Sequence, residues 1–156
     1  MLYLSLMIKL LRTDSQHPDF ISLVAQLDSL LAELDGEEHA FYNSLNKIDT
    51  IKNAIVVYED NKPVACGAIR EHSPSAMEVK RMYTVPEYRG RGIATMVLNE
   101  LEKWAAELSY KKCILETGNR QPDAIHLYSR QGYRRIPNYG KYVNVENSIC
   151  FEKELK

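Results

Sequence analysis

The sequence of 156 residues is poor in the features that mark membrane, fibrous and disulfide-linked proteins. It has seven glycines, six prolines and three cysteines, and it contains no internal repeat, low-complexity tract or linker rich in glycine and proline. No stretch approaches the roughly 20 apolar residues that cross a membrane. The apolar residues 1–11 lack a basic region and a cleavage site, so they predict a first strand and not a signal peptide. We therefore expect one domain over residues 1–156 and no membrane partner.

Charge, histidine and cysteine usage disfavour further classes of protein. Twenty basic residues face twenty-one acidic ones, so no global positive field draws the chain to nucleic acid. The four histidines show no metal-ligand spacing, and we expect no metal. Cys66, Cys113 and Cys150 are odd in number and widely spaced, as expected of buried thiols in a reducing compartment. We therefore predict a cytoplasmic protein.

The first half of the chain alternates helical and strand-like patterns. Apolar residues at a period near 3.6 predict an amphipathic helix from Pro18 to about Gly36, and a shorter helix is expected through 41–45. The β-branched runs at 54–58 and 64–69, with a turn at 60–63, predict a hairpin.

The second half continues the alternation and predicts a mixed α/β sheet. Its expected elements are a strand at 77–85, a helix at 93–108, a strand at 112–117, a helix at 122–131 and two closing strands within 133–156 around a loop at 137–140.

A strand, a tight turn with two glycines and the start of a helix meet at residues 77–94. The first N–H groups of a helix lack helical partners, and glycines let a phosphate approach them closely. Arg89 and Arg91 add donors that suit phosphate oxygens. No Gly-Lys-Ser/Thr follows, and Thr95 stands where a dinucleotide fingerprint has its third glycine. The segment predicts an anion site of neither class, although two glycines can also simply form a turn.

At this point the chain resembles a family. Arg89-x-x-Gly92-x-Ala94 matches the Q/R-x-x-G-x-G/A signature of the GNAT superfamily of acetyltransferases, and residues 124–133 match its A-x-x-L-Y-x-x-x-G-F/Y segment. The resemblance covers about residues 54–151. It implies a GNAT fold, a mostly antiparallel mixed sheet of six to seven strands with about four helices. It also implies an N-acetyltransferase that moves acetyl from acetyl-CoA directly to a primary amine.

The resemblance also implies which residues bind the cofactor, acetyl-CoA. The backbone of Met82, Tyr83 and Thr84 should pair with the pantetheine arm, as an added strand would. Family members often have an asparagine at the position of Gln121, with Asn119 as the alternative contact. The pyrophosphate is expected at Arg89, Gly90, Arg91, Gly92, Ile93, Ala94 and Thr95.

Tyr128 corresponds to the family tyrosine that lies beside the thioester sulfur and protonates the departing thiolate. Helical periodicity alone predicts a core residue instead, because Tyr128 shares a face with Ala124 and Leu127.

Glu78 is the first candidate for the general base, at the position of the catalytic glutamate in histone-acetylating members. On a regular strand it would share a face with Lys80 and Met82 and lie about 13 Å from Met82, so water would relay the proton. Alternatively, Glu78 is a solvent-facing residue paired with Lys80 or Arg70. Glu116 is the second candidate, and a water-only route stays open.

The acceptor amine is not determined by the sequence. Acids within residues 35–42 either receive a cationic amine or form a charged helix start. Two further alternatives remain, a CoA-binding sensor without turnover and an enzyme that acylates a protein lysine or an aminoacyl-tRNA. The arginines that would serve RNA are Arg120, Arg130, Arg134 and Arg135. A homodimer also stays open.

Overall fold

The computed structural model describes residues 7–35 and 50–156. Its seven strands form one sheet in the order β1-β2-β3-β4-β5-β7-β6. The strands are β1 Ile8–Thr13, β2 Asn53–Glu59, β3 Lys62–Ser73, β4 Ala76–Thr84, β5 Lys112–Gly118, β6 Arg134–Ile136 and β7 Ser148–Glu154. The α-helices of the described residues are α1 Pro18–Asp35, α2 Ile93–Glu107 and α3 Pro122–Arg130. Among these described strands only β4 and β5 pair in parallel, which confirms the predicted mixed, mostly antiparallel α/β sheet.

The helices cover both faces of the sheet with separate apolar clusters. Phe20 and Leu23 of α1 are fully buried in one cluster that includes Tyr83 of β4. Val97 and Leu101 of α2 are buried in the other cluster, to which α3 contributes as well. The helical stripes read from the sequence therefore face the sheet, and burying them supplies the main stabilisation at roughly 25 cal/mol per Å² of apolar surface. The shorter helix predicted at 41–45 lies outside the described residues, as do residues 1–6 of the predicted first strand.

The hairpin between β2 and β3 has a tighter turn than expected. Asp60 and Asn61 have φ values of 50° and 70°, so they alone form a two-residue turn. Lys62 and Pro63 belong to β3, and the predicted four-residue turn at 60–63 is wrong. Asparagine and aspartate tolerate the left-handed region, and this tolerance allows the short connection.

The loop before β7 is longer than expected, from residue 137 to residue 147 instead of 137–140. Its middle, Gly140–Tyr142, forms one 3₁₀ turn. The Asn138 side chain organises the loop, since its amide donates to the carbonyls of Tyr142 and Val145, each at 3.1 Å. A side chain that binds backbone in this way replaces regular pairing, and periodicity does not detect it.

A β-bulge in β4 changes which side chains share a face. Residues 66–68 of β3 lie opposite residues 80–83 of β4, and Arg81 has a φ of 59°. After the bulge, Met82 packs with the α2 cluster, whereas Arg81 pairs with Asp28 of α1. Met77 and Val79 also belong to the α2 cluster, so Glu78 and its partner Lys80 lie on the α1 side. The prediction that Glu78 and Met82 share one face is therefore wrong, because the extra residue reverses the alternation.

The parallel strands β4 and β5 separate partway along their length. Their pairing runs from Ala76 opposite Lys112 to Val79 opposite Leu115 and goes no further. Residues 80–84 of β4 and 116–118 of β5 continue beyond it as the two sides of an opening in the sheet. Backbone groups on these two sides lack a strand partner across the opening, which makes the opening a place where an extended ligand can add.

A substitution at Gly67 tests the packing next to this opening. A Cβ at Gly67 would lie 2.6 Å from Met82 Sδ and 2.7 Å from Val97 Cγ1. We expect Gly67→Ala to reduce the free energy of unfolding by about 1–3 kcal/mol through overpacking, measured by urea denaturation. Gly118→Ala is the control, because the nearest atom to its new Cβ is Gln121 Nε2 at 3.5 Å. Equal losses in the two variants would contradict the close contact between β3 and α2.

Candidate active site

A cavity of about 730 Å³ occupies the opening between β4 and β5. Leu27 and Leu31 of α1 line it from one face of the sheet, and Ile93 of α2 and Tyr128 of α3 line it from the other. The cavity therefore connects the two faces through the sheet. Its volume is within the roughly 300–1,000 Å³ of small-molecule sites.

The anion turn, residues 89–95, lies at the α2 side of the cavity. Gly90 and Gly92 have φ values of 78° and 77°, which glycine adopts without strain. A Cβ at either position would meet nothing within 4 Å, so the space above the turn is open. The first hydrogen bond of the helix runs from the Met96 N–H to the Gly92 carbonyl, at 3.1 Å. The N–H groups of residues 93–95 come before this bond, so they have no partner within the helix. The arrangement can bind a phosphate.

The two arginines of the turn play different structural roles. Arg89 lines the cavity and donates from Nε to the Thr84 carbonyl at 2.9 Å. Arg91 instead pairs with the buried Glu59, at 3.3 Å to each oxygen, and lies outside the cavity wall. Arg89 is therefore placed to meet a bound anion, whereas Arg91 holds the turn against β2.

Most of the residues predicted to contact the pantetheine arm line the cavity, but one of them does not. Met82, Tyr83 and Thr84 line the cavity along β4, and Gln121 lines it from the start of α3. Asn119 lies outside the wall, and its amide donates to the Asn147 side chain at 3.2 Å. Of the two alternatives, Gln121 is the one at the cavity.

Tyr128 belongs to the core and to the cavity wall at the same time. Its ring packs edge-on against Tyr133 with the centroids 5.8 Å apart, and only 6% of the residue is exposed. Burial, and then the nearby Glu116 carboxylate, raise the pKa of the Tyr128 phenol above its ordinary value. The phenol therefore keeps its proton at neutral pH.

Glu78 lies in a buried network. One carboxylate oxygen accepts from the Tyr139 hydroxyl at 2.5 Å and the other from Lys80 Nζ at 3.5 Å. Only 7% of Glu78 is exposed, so the solvent-facing alternative is wrong, although its pairing with Lys80 is correct. Burial lowers the pKa of Lys80, and the Glu78 charge opposes that effect. Sequence reasoning missed Tyr139, because a loop residue 61 positions away carries no periodic signal.

Glu116 and Tyr142 lie on the same cavity wall. Glu116 accepts from the Ser148 hydroxyl at 2.5 Å. Burial raises the pKa of the Tyr142 phenol, and the charges of Glu116 and Glu78 raise it further, so both carboxylates lie near this ring. Sequence reasoning missed Tyr142 as well, because the loop was predicted to end at residue 140, whereas Tyr142 lies in a 3₁₀ turn of a longer loop.

The remaining predicted features were a charged acceptor segment, a metal-free site, three buried thiols and an arginine patch. The acceptor segment 35–42 falls outside the side chains that the structure describes. In the described ranges, no group of three or more histidine, cysteine or acidic side chains could hold a metal ion. No helix within those ranges is long and apolar enough to cross a membrane.

The three cysteines are free and buried, as predicted. Arg120 and Arg130 line the cavity, whereas Arg134 pairs with Glu152.

Known proteins share this sequence pattern and fold. The profile described as "Acetyltransferase (GNAT) family" matches residues 19–133. An IAA acetyltransferase of Azospirillum brasilense is 31% identical over 140 residues, which cover 86% of this chain and 90% of that relative. A structure from Klebsiella pneumoniae, assigned provisionally as an acyl-CoA N-acyltransferase, superposes with a TM-score of 0.80 at 28% identity, over 96% of this chain and 99% of that one. An Elizabethkingia anophelis GNAT acetyltransferase with acetyl-CoA bound has a TM-score of 0.69 at 17% identity, over 95% and 98% of the two chains.

A charge at Gly92 tests the anion turn. We expect inorganic pyrophosphate to raise the melting temperature of the wild type, and Gly92→Asp to abolish that shift, because a carboxylate would repel the anion from the N–H groups. Gly132→Asp is the matched control, since Gly132 also has a positive φ, 92°, but lies outside the cavity wall. A pyrophosphate shift that survives in Gly92→Asp would mean that the turn is only structural.

Proposed function

Because this chain belongs to the GNAT family of acetyltransferases, we propose that it transfers an acetyl group from acetyl-CoA directly to a primary amine. One observation carries the proposal. A single cavity passes through the sheet with the anion turn and Tyr128 on one face and the apolar side chains of α1 on the other. Such a cavity can hold a phosphate-bearing donor and a second substrate together, as transfer within a ternary complex requires.

The residues of the α2 face fit acetyl-CoA. The N–H groups of residues 93–95 and the Arg89 guanidinium suit the pyrophosphate, and Gly90 and Gly92 leave room for it. The backbone of residues 82–84, next to the opening, suits the amides of the pantetheine arm. Gln121 can add a side-chain contact from the start of α3.

Tyr128 acts as the general acid in this proposal. Acetyl-CoA supplies an acetyl group activated as a thioester. The neutral amine forms a bond to the acetyl carbon, the carbon–sulfur bond breaks, and the Tyr128 hydroxyl gives its proton to the departing sulfur. The raised pKa of Tyr128 keeps that proton available at neutral pH. The products are an N-acetylated amine and CoA.

Glu78 and Glu116 are the candidates to receive the proton of the amine. Both carboxylates line the cavity, and both are held by short bonds from hydroxyl groups, Tyr139 for Glu78 and Ser148 for Glu116. Glu78 remains our first choice, with a water as the relay, and Tyr139 positions it.

The proposed function is tested in two stages. Acetyl-CoA at 100 times its dissociation constant should stabilise the fold by about 2.7 kcal/mol, which a thermal shift detects. Free CoA should then appear when amines of several classes are added. The absence of any thermal shift at millimolar acetyl-CoA would contradict the proposal. Binding without CoA release from any amine would favour a CoA-binding sensor.

Replacing Tyr128 by phenylalanine removes only the hydroxyl. We expect kcat to fall roughly 10- to 1000-fold with little change in acetyl-CoA affinity. The ring should remain packed on Tyr133, and an unchanged melting temperature serves as the control. Equal rates in Tyr128→Phe and wild type, with chemistry shown to be rate-limiting, would eliminate the general acid.

Replacing Glu78 by glutamine removes the proposed base. Turnover should fall most at neutral pH and least at alkaline pH, because an amine with a pKa of about 10 loses its proton without help there. Tyr139→Phe is the matched control, since it removes a hydrogen bond to Glu78 but leaves the carboxylate in place. Its pH–rate profile should keep the wild-type shape. A wild-type profile in Glu78→Gln would leave Glu116 or water as the base.

A further inference from the structure

Arg81 is buried in the cavity wall, and one nitrogen of its guanidinium has no hydrogen-bond partner. Its side chain is 4% exposed, and Nη1 donates to Asp28 at 3.0 Å. Nε is buried and has no hydrogen-bond partner. Among the described residues, Asp28 is the side chain that accepts from this guanidinium, which carries five N–H donors. Buried polar groups are nearly always paired, so an unpartnered guanidinium nitrogen needs an explanation.

The unused nitrogen belongs to one particular edge of the guanidinium. Because Asp28 engages Nη1, the edge formed by Nε and Nη2 is left, and this planar edge matches the two oxygens of a carboxylate. Nε is closed to solvent, so the side chain must rotate toward the cavity for this edge to donate to a ligand. Arg81 already lines that cavity. A carboxylate bound there would supply the missing hydrogen bond.

The backbone gives a second, independent reason to assign Arg81 a ligand. Its φ of 59° lies in the left-handed region, where glycine is the favoured residue and other residues cost of order 1–3 kcal/mol. The chain nevertheless has an arginine at this position. Asp28 accounts for one terminal nitrogen, but its own side chain is 40% exposed, and a half-exposed ion pair contributes little stability.

The surroundings of Arg81 indicate what else the ligand contains. Arg81 faces α1, on the opposite side of the sheet from the anion turn. Leu27, Leu31 and Leu34 of the same helix line the cavity. Glu78 lines it too, as the proposed base. Within the described residues, this face therefore combines a buried cation with an apolar wall.

We propose that the acceptor is an amine that carries a carboxylate and an apolar body, with the carboxylate bound at the free edge of Arg81 and the apolar part against α1. Amino acids with apolar side chains have this chemistry. The inference rests on the proposed function, because it names the acceptor of that same reaction. Arg81 is a specificity-determining residue in it and takes no part in the chemical step.

The test uses matched pairs of amines with and without the carboxylate. The probes are L-leucine with isoamylamine, L-phenylalanine with phenethylamine, and leucinamide as a neutral analogue. Wild type should show the lower KM for both amino acids. Arg81→Met should raise their KM roughly 10- to 100-fold and leave the KM of the decarboxylated amines unchanged, since only a charge-assisted pair is lost. Arg81→Lys, which keeps the charge without the planar edge, should be intermediate.

Asp28→Asn is the structural control, because it removes the negative charge beside Nη1 but retains the free edge. It should keep the preference for the amino acids. Equal KM changes for both members of each pair in Arg81→Met would show a structural role and overturn the inference. A wild-type preference for the decarboxylated amines would also overturn it, as would a loss of acetyl-CoA affinity in Arg81→Met.

A binding measurement separates this inference from the proposed function. Calorimetry with L-leucine and isoamylamine, on protein saturated with desulfo-CoA, reports acceptor binding without turnover. We expect L-leucine to bind to wild type and to lose affinity in Arg81→Met. Failure of L-leucine and L-phenylalanine to bind would overturn the inference even if amines of another class release CoA. If acetyl-CoA and desulfo-CoA do not bind but L-leucine binds through Arg81, the proposed function fails and the carboxylate site stands.

Discussion

The separation of β4 from β5 is the constraint on which the rest of the site depends. Two parallel strands inside a sheet normally pair along their whole length, because an unpaired buried N–H or C=O costs free energy. Here the pairing stops at Val79 and Leu115, and the backbone beyond them borders a cavity. The fold can maintain this opening because separate apolar clusters hold α1 on one face and α2 with α3 on the other.

The same opening concentrates charge. Where the strands part, Glu78, Lys80 and Arg81 are nearly excluded from water, and each charge lies beside a group that offsets part of its desolvation. Such a network stabilises the fold little, since replacing paired buried charges by apolar residues is often neutral or favourable. Its retention is better explained by ligand binding, because all three side chains line the cavity that a ligand would occupy.

Periodicity and motif spacing predict most of the fold and half of the site. The stripes of α1 and α2, the hairpin and the glycine turn follow from local rules, and the structure contains all of them. The bulge at Arg81 does not follow from a regular period of two, which the adjacent polar residues Lys80 and Arg81 interrupt. That one residue decides that Met82 and Glu78 lie on opposite faces. Tyr139 and Tyr142 were missed for a related reason, since a long loop brings them to the site and its path depends on Asn138.

Amide hydrogen exchange, followed by NMR with and without acetyl-CoA, tests the central claim most directly. If the pantetheine arm adds to the open side of β4, exchange should slow at those amides of residues 80–84 that are not paired with β3. It should also slow at residues 93–95, where the helix begins with unpaired N–H groups. Calorimetric binding of acetyl-CoA that leaves both segments unchanged, with protection elsewhere in the chain, would contradict the account.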